Sequence, residues 1–384
     1  MQTFISRRPT ASLRKQQGVT LIELMVGLLV GLLVTVVIAQ VLLVAEGQKR
    51  SATGGTDAQV NGALALYTLQ REIQMAGHGL SASPTALGCE IKARYDSAAA
   101  AVNWTLTPVV ISDGASGAPD TIQVLTGQKQ GYSVATLVTE NHLQNAASFY
   151  VTNTLGVATG DLMVAVPVTP DATHWCSVFS VTGTDTTGGY NQILHTSGTG
   201  TPWNPAVGSG IFPTDGYAAK SYLLNLGRLV SSTYSVTGPS ASNPNTLQSV
   251  VFNSSAIAGA TSDLFPQIVS LQAFYGKDTN ADGTVDTYDT TTPTTQAGWS
   301  QVLAIRVAVV ARSGQYEKDE VTAAAPVWDL GTAGADITIA GTTACSSSQC
   351  LSIPVDTQVG ADWKHYRYKI FDTVVPLRNM LWGS

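Results

Sequence analysis

Charged residues are scarce in this sequence, and the Lys and Arg residues form no basic stripe. They make up 12% of the 384 residues, with 20 Lys and Arg against 26 Asp and Glu, for a formal net charge of −6. Because a nucleic-acid-binding domain usually carries a basic stripe or patch, we expect no nucleic-acid partner. The 44% of hydrophobic residues is enough for one large domain with a core of its own.

Motifs that carry enzyme chemistry are also missing. The sequence has no His-Glu-x-x-His pair, no Gly-x-Ser-x-Gly elbow, no phosphate-binding loop and no Cys with an activating His at a suitable spacing. These absences predict that the protein is not an enzyme.

A long apolar segment lies close to the start of the chain. It runs from Gly18 to Gly47, behind a short leader with basic residues between positions 7 and 15. Its length exceeds the roughly 20 residues that a helix needs to cross a bilayer. The segment therefore predicts a membrane-spanning helix, with its transmembrane part at about residues 19–45.

One acidic residue interrupts this segment near its start. A carboxylate at the position of Glu23 costs on the order of 2.5–3.5 kcal/mol in the bilayer, so we expect a cation to meet it. Cutting the chain between Gly18 and Val19 would create an ammonium group within one helical turn of Glu23. The pair can form within one helix, or Glu23 of one subunit can bind the amine of the next.

Two glycines, Gly27 and Gly31, form a G-x-x-x-G pair in the same segment. That spacing lets helix backbones approach closely and favours helix packing. Glycine is also common in membrane helices without such a role, so the alternative stays open.

The basic leader, the Gly at the cut, the string VTLIE and the long apolar helix together resemble a type IV prepilin (class III) signal. The resemblance implies that residues 1–18 are a leader, which a prepilin peptidase removes after Gly18, and that Val19 is then N-methylated. It also assigns subunit docking to Glu23. The first mature residue of the family is most often Phe, whereas here it is Val19. The alternative is an ordinary secretory signal or a lone anchor.

Four cysteines in a chain that crosses a membrane predict disulfides. Cys345 and Cys350 enclose only the polar loop SSSQ, which favours a local bond between them and leaves Cys89 to pair with Cys176. The other two connectivities stay open. No Cys-x-x-Cys or His spacing supports zinc as the competing explanation.

The helix is predicted to continue beyond the membrane segment and to span residues 19–80. Apolar residues at spacings of three and four predict one buried face, and the helix should stop near Gly77 and Gly79. The residues of this face are Val60, Leu64, Tyr67, Ile73 and Met75.

Residues 81–384 alternate short runs rich in Val, Ile, Thr and Tyr with Gly, Pro, Asn and Asp, which is typical of strands and turns. We expect the loops at 184–216 and 277–300 to lie outside the core. The predicted fold class is α+β, with the long N-terminal helix packed on a large, mostly antiparallel β head domain in the periplasm. The predicted strands lie at 121–127, 161–168, 177–183, 221–236, 267–276 and 302–313.

The string DTNADGTVDTYD, residues 278–289, has the pattern of a twelve-residue calcium loop. Oxygen ligands fall at positions one, three, five, seven, nine and twelve, and Gly283 at position six permits the tight turn. An acidic surface turn is the alternative, and the last ligand is Asp where such loops usually have the longer Glu. The candidate ligands for Ca²⁺ are Asp278, Asn280, Asp282, the Thr284 carbonyl, Asp286 and Asp289.

The stretches YGKDTNADG from residue 275 and WSQVLAIRV from residue 299 resemble the PilW family of minor pilins. QREIQMAGHG at 70–79 and HYRYKIFDTVVPLRN at 365–379 are similar to that family as well. The resemblance implies a minor pilin of type IV pilus assembly, in the initiation or tip complex.

The same resemblance implies partners and a location. The partners are other minor and major pilins, prepilin peptidase and the inner-membrane assembly platform. The location is the inner membrane of a Gram-negative bacterium, with a periplasmic head, and then the filament or its tip at the cell surface. The rivals are a pseudopilin of type II secretion, a calcium-dependent adhesive tip module and a periplasmic enzyme on an anchor.

Two arginines lie within otherwise apolar runs. We interpret Arg306 as marking the solvent face of a strand, with pairing to an acid as the alternative. Arg378 follows Pro376 in a predicted turn, where it could touch the long helix or a partner.

Overall fold

The computed structural model of the chain describes residues 18–80, 86–96, 101–129, 135–198, 201–205, 210–238, 244–253, 259–332 and 338–381. Except for Gly18, the predicted leader at 1–18 lies outside these residues. The chain divides into two compact units, Met1–Thr53 and Gly54–Ser384. We call the second unit the head.

Helix α1, Leu21–Met75, supplies residues to both units. In the first unit, each residue from 18 to 49 is exposed, and Leu21 and Ile22 show 78% and 70% of their surface. By length and composition alone, α1 is the one helix in the described ranges that could cross a membrane. The predicted long apolar helix is confirmed.

Within the head, α1 buries a face of small residues and not the predicted one. The prediction named five residues, of which only Ile73 is buried; Leu64 and Tyr67 remain 46% and 63% exposed. Small side chains give no strong hydrophobic signal in the sequence, yet they let a helix lie close to a sheet. The buried face consists of Gly54, Ala58, Gly62, Ala65, Leu69 and Ile73.

The end of α1 matches the prediction. The helix stops at Met75, and Gly77 and Gly79 follow with φ of 74° and 87°. These left-handed conformations favour Gly, which has no Cβ to clash. The amide of Gly77 then donates to the carbonyl of Leu125, 2.9 Å away, and so links the end of the helix to residues 121–127.

The described residues of the head contain 22 strands in five sheets. A six-stranded sheet has the order β2-β1-β8-β7-β11-β5, with β1 Glu90–Ala93, β2 Val102–Thr105, β5 Thr136–Leu137, β7 Leu162–Val166, β8 Cys176–Ser180 and β11 Tyr222–Gly227. A three-stranded sheet has the order β6-β10-β9, with β6 Ser148–Val151, β9 Gly183–Asp185 and β10 Asn191–Leu194.

Two five-stranded sheets form the rest of the main framework. The first has the order β14-β13-β12-β4-β3, with β3 Val109–Ser112, β4 Thr121–Gly127, β12 Leu229–Val236, β13 Thr246–Asn253 and β14 Ala260–Pro266. The second has the order β19-β16-β15-β17-β22, with β15 Ile268–Lys277, β16 Thr287–Asp289, β17 Val302–Arg312, β19 Thr338–Ile339 and β22 Tyr368–Pro376.

Smaller elements complete the head. A three-stranded sheet has the order β18-β21-β20, with β18 Val327–Asp329, β20 Thr343–Cys345 and β21 Ser348–Ser352. The short helices are α2 Gln296–Ser300, α3 Asp356–Val359 and α4 Arg378–Leu381, and 3₁₀ turns lie at Ala115–Gly117, Thr187–Gly189 and Ala361–His365. Among the strand pairs described, β1 with β8 and β16 with β19 are parallel, so the sheets are mostly antiparallel, as predicted.

Each predicted strand is present, but two predicted loops contribute to the core. Residues 184–216 include β10 with its fully buried Ile193, and residues 277–300 include Trp299, which is 3% exposed. These apolar residues stand in short stretches with mostly polar or small neighbours, so no period of two or 3.6 marks them. The exclusion of both loops from the core was therefore wrong.

The main core lies between α1 and the sheet that contains β15 and β17. Leu69 and Ile73 of α1 belong to one cluster with Leu271, Ile305 and Val309. Gly62 faces the same sheet, and a Cβ added there would overlap the ring of Phe371. The absence of a side chain at Gly62 therefore lets the helix pack closely against Phe371 of the sheet.

We expect Gly62→Ala to lower the free energy of unfolding of the head by about 1–3 kcal/mol, because the added methyl group overpacks the contact with Phe371. The matched control is Gly55→Ala in the same helix, where a Cβ meets no atom within 4 Å. That control should stabilise the helix by up to about 1 kcal/mol. Urea unfolding of both variants measures the difference, and equal effects would refute the packing account.

Candidate functional site

The start of α1 brings the predicted processing and docking residues together. Thr20 donates to Glu23 Oε2 from both its amide and its hydroxyl, at 2.9 Å each, and the Glu23 amide donates to Thr20 Oγ1 at 3.3 Å. This reciprocal arrangement is a capping box. Glu23 therefore also caps the helix, a role that the T-x-x-E spacing before an apolar run could have indicated.

The surroundings of this helix start are open. Gly18 and Val19 immediately precede Thr20, and Val19 is 73% exposed. A Cβ built at Gly27 or Gly31 meets no atom within 4 Å. The two glycines thus contact no other described part of the chain, and the surface that they form is free for another helix.

The predicted calcium loop is a tight turn that carboxylates hold together. Asp278, only 7% exposed, accepts the amides of Ala281 at 2.6 Å and Gly283 at 2.8 Å. Gly283 has φ of 85°, so position six needs the conformation that the motif assigns to Gly. Asp286 accepts the amides of Thr279 and Asn280.

Three of the predicted ligands converge at one point of this loop. Asn280 Nδ2 donates to Asp282 Oδ2 at 3.1 Å and to Asp286 Oδ1 at 3.3 Å, so two carboxylate oxygens meet at one amide nitrogen. Hydrogen bonds from the Thr284 hydroxyl and amide lower the pKa of Asp282. Oxygen donors of this kind fit a hard cation such as Ca²⁺.

Asp289, the predicted twelfth ligand, has a different partner. Its Oδ1 lies 2.6 Å from Lys277 Nζ, and that ammonium also donates to the Thr291 carbonyl at 2.8 Å. The strand pairing of β15 with β16 places Lys277 opposite Thr287, two residues before Asp289. Asp289 would have to leave this ion pair to reach a cation.

The four cysteines form two disulfides in the structure. Cys89 bonds to Cys176 and Cys345 to Cys350, with Cα separations of 5.9 and 5.8 Å. A carboxylate oxygen of Asp329 lies close to both sulfurs of the second bond. A metal ligand at cysteine is a thiolate, so the oxidised pair and Asp329 do not form a metal site.

Arg306 points into the head and not to solvent. Its guanidinium donates to the Leu330 carbonyl at 2.7 Å and pairs with Asp372 at 3.4 Å. It also lies over the ring of Trp328, 5.4 Å from the ring centroid, and its side chain is 14% exposed. The interpretation as a solvent-face marker was wrong, because the small sheet with β18 covers this side of β17.

The C-terminal stretch meets the end of α1. Asn379 Nδ2 donates to the carbonyls of Met75 at 3.3 Å and Ala76 at 2.9 Å, two groups that a helix end leaves without internal partners. Arg378 lies beside them, at the edge of a cleft that Glu72 and His78 also line. The predicted turn with Arg378 therefore adjoins the long helix.

Two histidines that the sequence did not single out form a buried pair. His142 Nε2 and His195 Nε2 lie 2.9 Å apart, and the residues are 2% and 4% exposed. Phe149 stacks on His142, with 3.7 Å between ring centroids. Burial, and then the neighbouring imidazole, lowers the pKa of His142 to about 3, and burial lowers that of His195 to about 4.

We expect this pair to make the head less stable in acid. Below the ordinary histidine pKa of about 6.5 the unfolded state takes up protons, whereas the folded pair stays neutral. Each imidazole therefore lowers the free energy of unfolding by up to ~1 kcal/mol for each unit by which the pH falls. Urea unfolding between pH 7 and pH 5 measures this slope.

The control for this prediction is a double variant with both His142 and His195 changed to Phe. It is needed because burial raises the pKa of Asp120 to about 7, and that carboxyl group gains stability as the pH falls through the same range. The variant should lack the acid loss that the wild type shows. Identical slopes in the two proteins would contradict the prediction.

Comparisons with known proteins agree with both resemblances. Residues 233–379 match the family model described as Type IV Pilus-assembly protein W, and residues 13–39 match the prokaryotic N-terminal methylation motif. The PilW match contains the similar stretches from 275, 299 and 365, which are thereby confirmed, whereas 70–79 lies outside both matches.

Neither the solved structures nor the curated proteins provide a relative from which the fold or function of this chain follows. A type IV-like pilin from Thermus thermophilus is 13% identical, with 58% of this chain and 87% of that chain covered and a TM-score of 0.22. That score is too low to support a shared fold. None of the curated proteins matches this chain.

Proposed function

We propose that this chain, a minor pilin of type IV pilus assembly that carries the prepilin methylation motif and the PilW domain, acts in the complex that initiates the filament or forms its tip. The observation that carries the proposal is the combination of the two matches in one chain with a large head. The first subunits of a filament lack neighbours that bury their apolar helices. A special subunit at this position would supply the missing contacts.

The proposed maturation begins at the leader. Prepilin peptidase cuts after Gly18 and methylates the new amino group of Val19, which keeps its positive charge. Glu23 then binds such an amine in its own helix or in the next subunit. The open helix surface at Gly27 and Gly31 accepts a neighbouring helix at short distance.

The proposed location follows from the same steps. Residues 19 to about 45 hold the subunit in the inner membrane, and the head lies in the periplasm, where its two disulfides suit an oxidising compartment. The partners are other minor and major pilins and the assembly platform. Pilin families are structural, and we propose no catalytic activity for this chain.

The position in the filament is tested by labelling. A tagged chain that restores pili in a deletion strain should be visible by immunogold electron microscopy at filament tips only. Label spaced along the whole filament would contradict the tip assignment and leave the role in assembly intact.

We also propose that the loop at 278–289 binds Ca²⁺ as a structural clip. Asp282 and Asp286 supply carboxylate oxygens that meet at the Asn280 amide nitrogen, and the Asn280 amide turns its oxygen to the cation when Ca²⁺ binds. The Thr284 carbonyl lies within the same turn. Asp278 mainly shapes the loop, since its carboxylate accepts backbone amides. Asp289 stays with Lys277 and is not needed as a ligand.

This ligand set predicts different effects of two similar substitutions. Asp282→Asn should weaken calcium affinity at least about tenfold, because affinity depends on the charge of the ligands, whereas Asp289→Asn should change it little. Isothermal titration of the purified protein gives both affinities. No binding by the wild type would end the calcium proposal, and loss in Asp289→Asn would show that the ligand set is wrong.

A further inference from the structure

A cleft in the head lies where two of the PilW-like stretches meet. It has a volume of about 540 Å³. Its walls include Glu72 and Met75 of α1, His78 in the turn that follows, Gln128 after β4, and Arg378 of α4. Residues 70–79 and 365–379 both resemble the PilW family. The hydrogen bonds from Asn379 to the end of α1 explain the role of only one residue in these two stretches. The other side chains of these stretches line an open surface.

Two polar residues on the walls, His78 and Glu72, have partners within the head. His78 Nδ1 lies 3.0 Å from the Gly127 carbonyl. Tyr234 has a raised pKa, caused by burial first and then by the carboxylate of Glu72, which faces its hydroxyl. His78 and Glu72 therefore already interact with other residues of the head.

Arg378 differs from these two residues. Its side chain is exposed, and it makes no ion pair or hydrogen bond with any residue in the described ranges. One guanidinium group thus lines the cleft without an acceptor among the residues that the structure describes. The group that complements it best is a carboxylate, which guanidinium binds through two parallel hydrogen bonds.

Apolar surface lies beside this charge. Met75 is 41% exposed and Val230 forms part of the same wall. A flexible Met side chain adapts to varied apolar partners, and an apolar anchor next to a charge pair is a common arrangement at protein interfaces. The cleft therefore fits a segment that carries an acidic side chain next to an apolar one.

We propose that this cleft docks a carboxylate-bearing segment of a neighbouring, different pilin subunit, with Arg378 binding the carboxylate and Met75 and Val230 receiving the apolar side chain. The proposal rests on the assignment of the chain to pilus assembly. It adds a contact of the head that is separate from the packing of apolar helices. A pilin is the occupant of choice because neighbouring heads are held side by side by their helices.

The test uses the full-length chain in piliated cells. A photoreactive p-benzoylphenylalanine replaces Gln128, which is exposed on the cleft wall, and sheared filaments are irradiated and analysed by mass spectrometry. We expect an adduct with a different pilin. Arg378→Glu should lower its yield at least about tenfold, because like charges would then meet.

Two further variants make the result specific. Lys318→Glu is the charge control, since Lys318 is exposed in the head and does not line this cleft, and it should leave the yield unchanged. Gln74→Glu adds a carboxylate to the cleft wall without changing Arg378, and it should also reduce the adduct. It serves as the second test if Arg378→Glu lowers the amount of folded protein.

Several results would overturn the proposal. They are the absence of an adduct, an adduct only with a second copy of this chain or with lipid, and an adduct that persists in both Arg378→Glu and Gln74→Glu. Pili that depend on the gene while no adduct forms would reject the cleft contact alone. Pili that form normally without the gene would instead reject the role in assembly.

Discussion

Replacing Cys89 and Cys176 together by Ala should lower the free energy of unfolding of the head by about 4 kcal/mol, because their bond closes a long loop in the unfolded chain. The two residues are 87 positions apart. Both lie in a core cluster with Ile91, Val164 and Val178, and Ala avoids placing a hydroxyl there.

The second disulfide is the matched control. Cys345 and Cys350 are five positions apart, so changing both to Ala should cost only about 2 kcal/mol. Urea unfolding of the full-length protein in detergent, followed by Trp fluorescence, gives both values, since Trp203 belongs to the core of the first disulfide. Equal losses for the two pairs would contradict this ranking.

Removing the charge of Glu23 should abolish most surface pili. Glu23→Gln keeps the size of the side chain, and it can still accept hydrogen bonds from Thr20. The carboxylate that binds the amine at Val19 is lost, however, and truncating one partner of a buried charge pair costs about 2–5 kcal/mol. We therefore expect the number of pili to fall more than about tenfold, while the amount of protein in the membrane stays the same.

Glu46→Gln is the control for this prediction. Glu46 has the same chemistry and lies in the same helix, but it falls beyond the predicted transmembrane part. It should leave pilus number close to that of the wild type. Normal piliation in Glu23→Gln would show that the capping box is the main role of Glu23 and that docking does not need its charge.

The predictions that succeeded rest on long or repeated signals. An uninterrupted apolar segment behind a basic leader identifies the membrane helix, and runs of Val, Ile and Thr identify strands such as β4 and β17. The end of α1 was predictable as well, because the left-handed conformations that follow it favour Gly, and two glycines stand close together there in the sequence.

The predictions that failed depend on contacts made by the folded head. The buried face of α1 contains Gly62 and Ala65, whose small size matters only once the sheet lies against the helix. The side chain of Arg306 is only 14% exposed, because the sheet with β18 covers it. This covering sheet cannot be read from the sequence around Arg306.

The buried histidine pair was missed for the same reason. His142 and His195 are 53 positions apart, and neither lies in a motif. In contrast, the capping box of Thr20 and Glu23 has a local signature, T-x-x-E, because the two residues are only three positions apart.

The most direct test of a role in pilus assembly is to delete the gene in frame and count surface filaments by electron microscopy, with and without the wild-type gene supplied in trans. The account predicts that pili are lost or strongly reduced and that the wild-type gene restores them. Unchanged filament numbers in the deletion strain would contradict it.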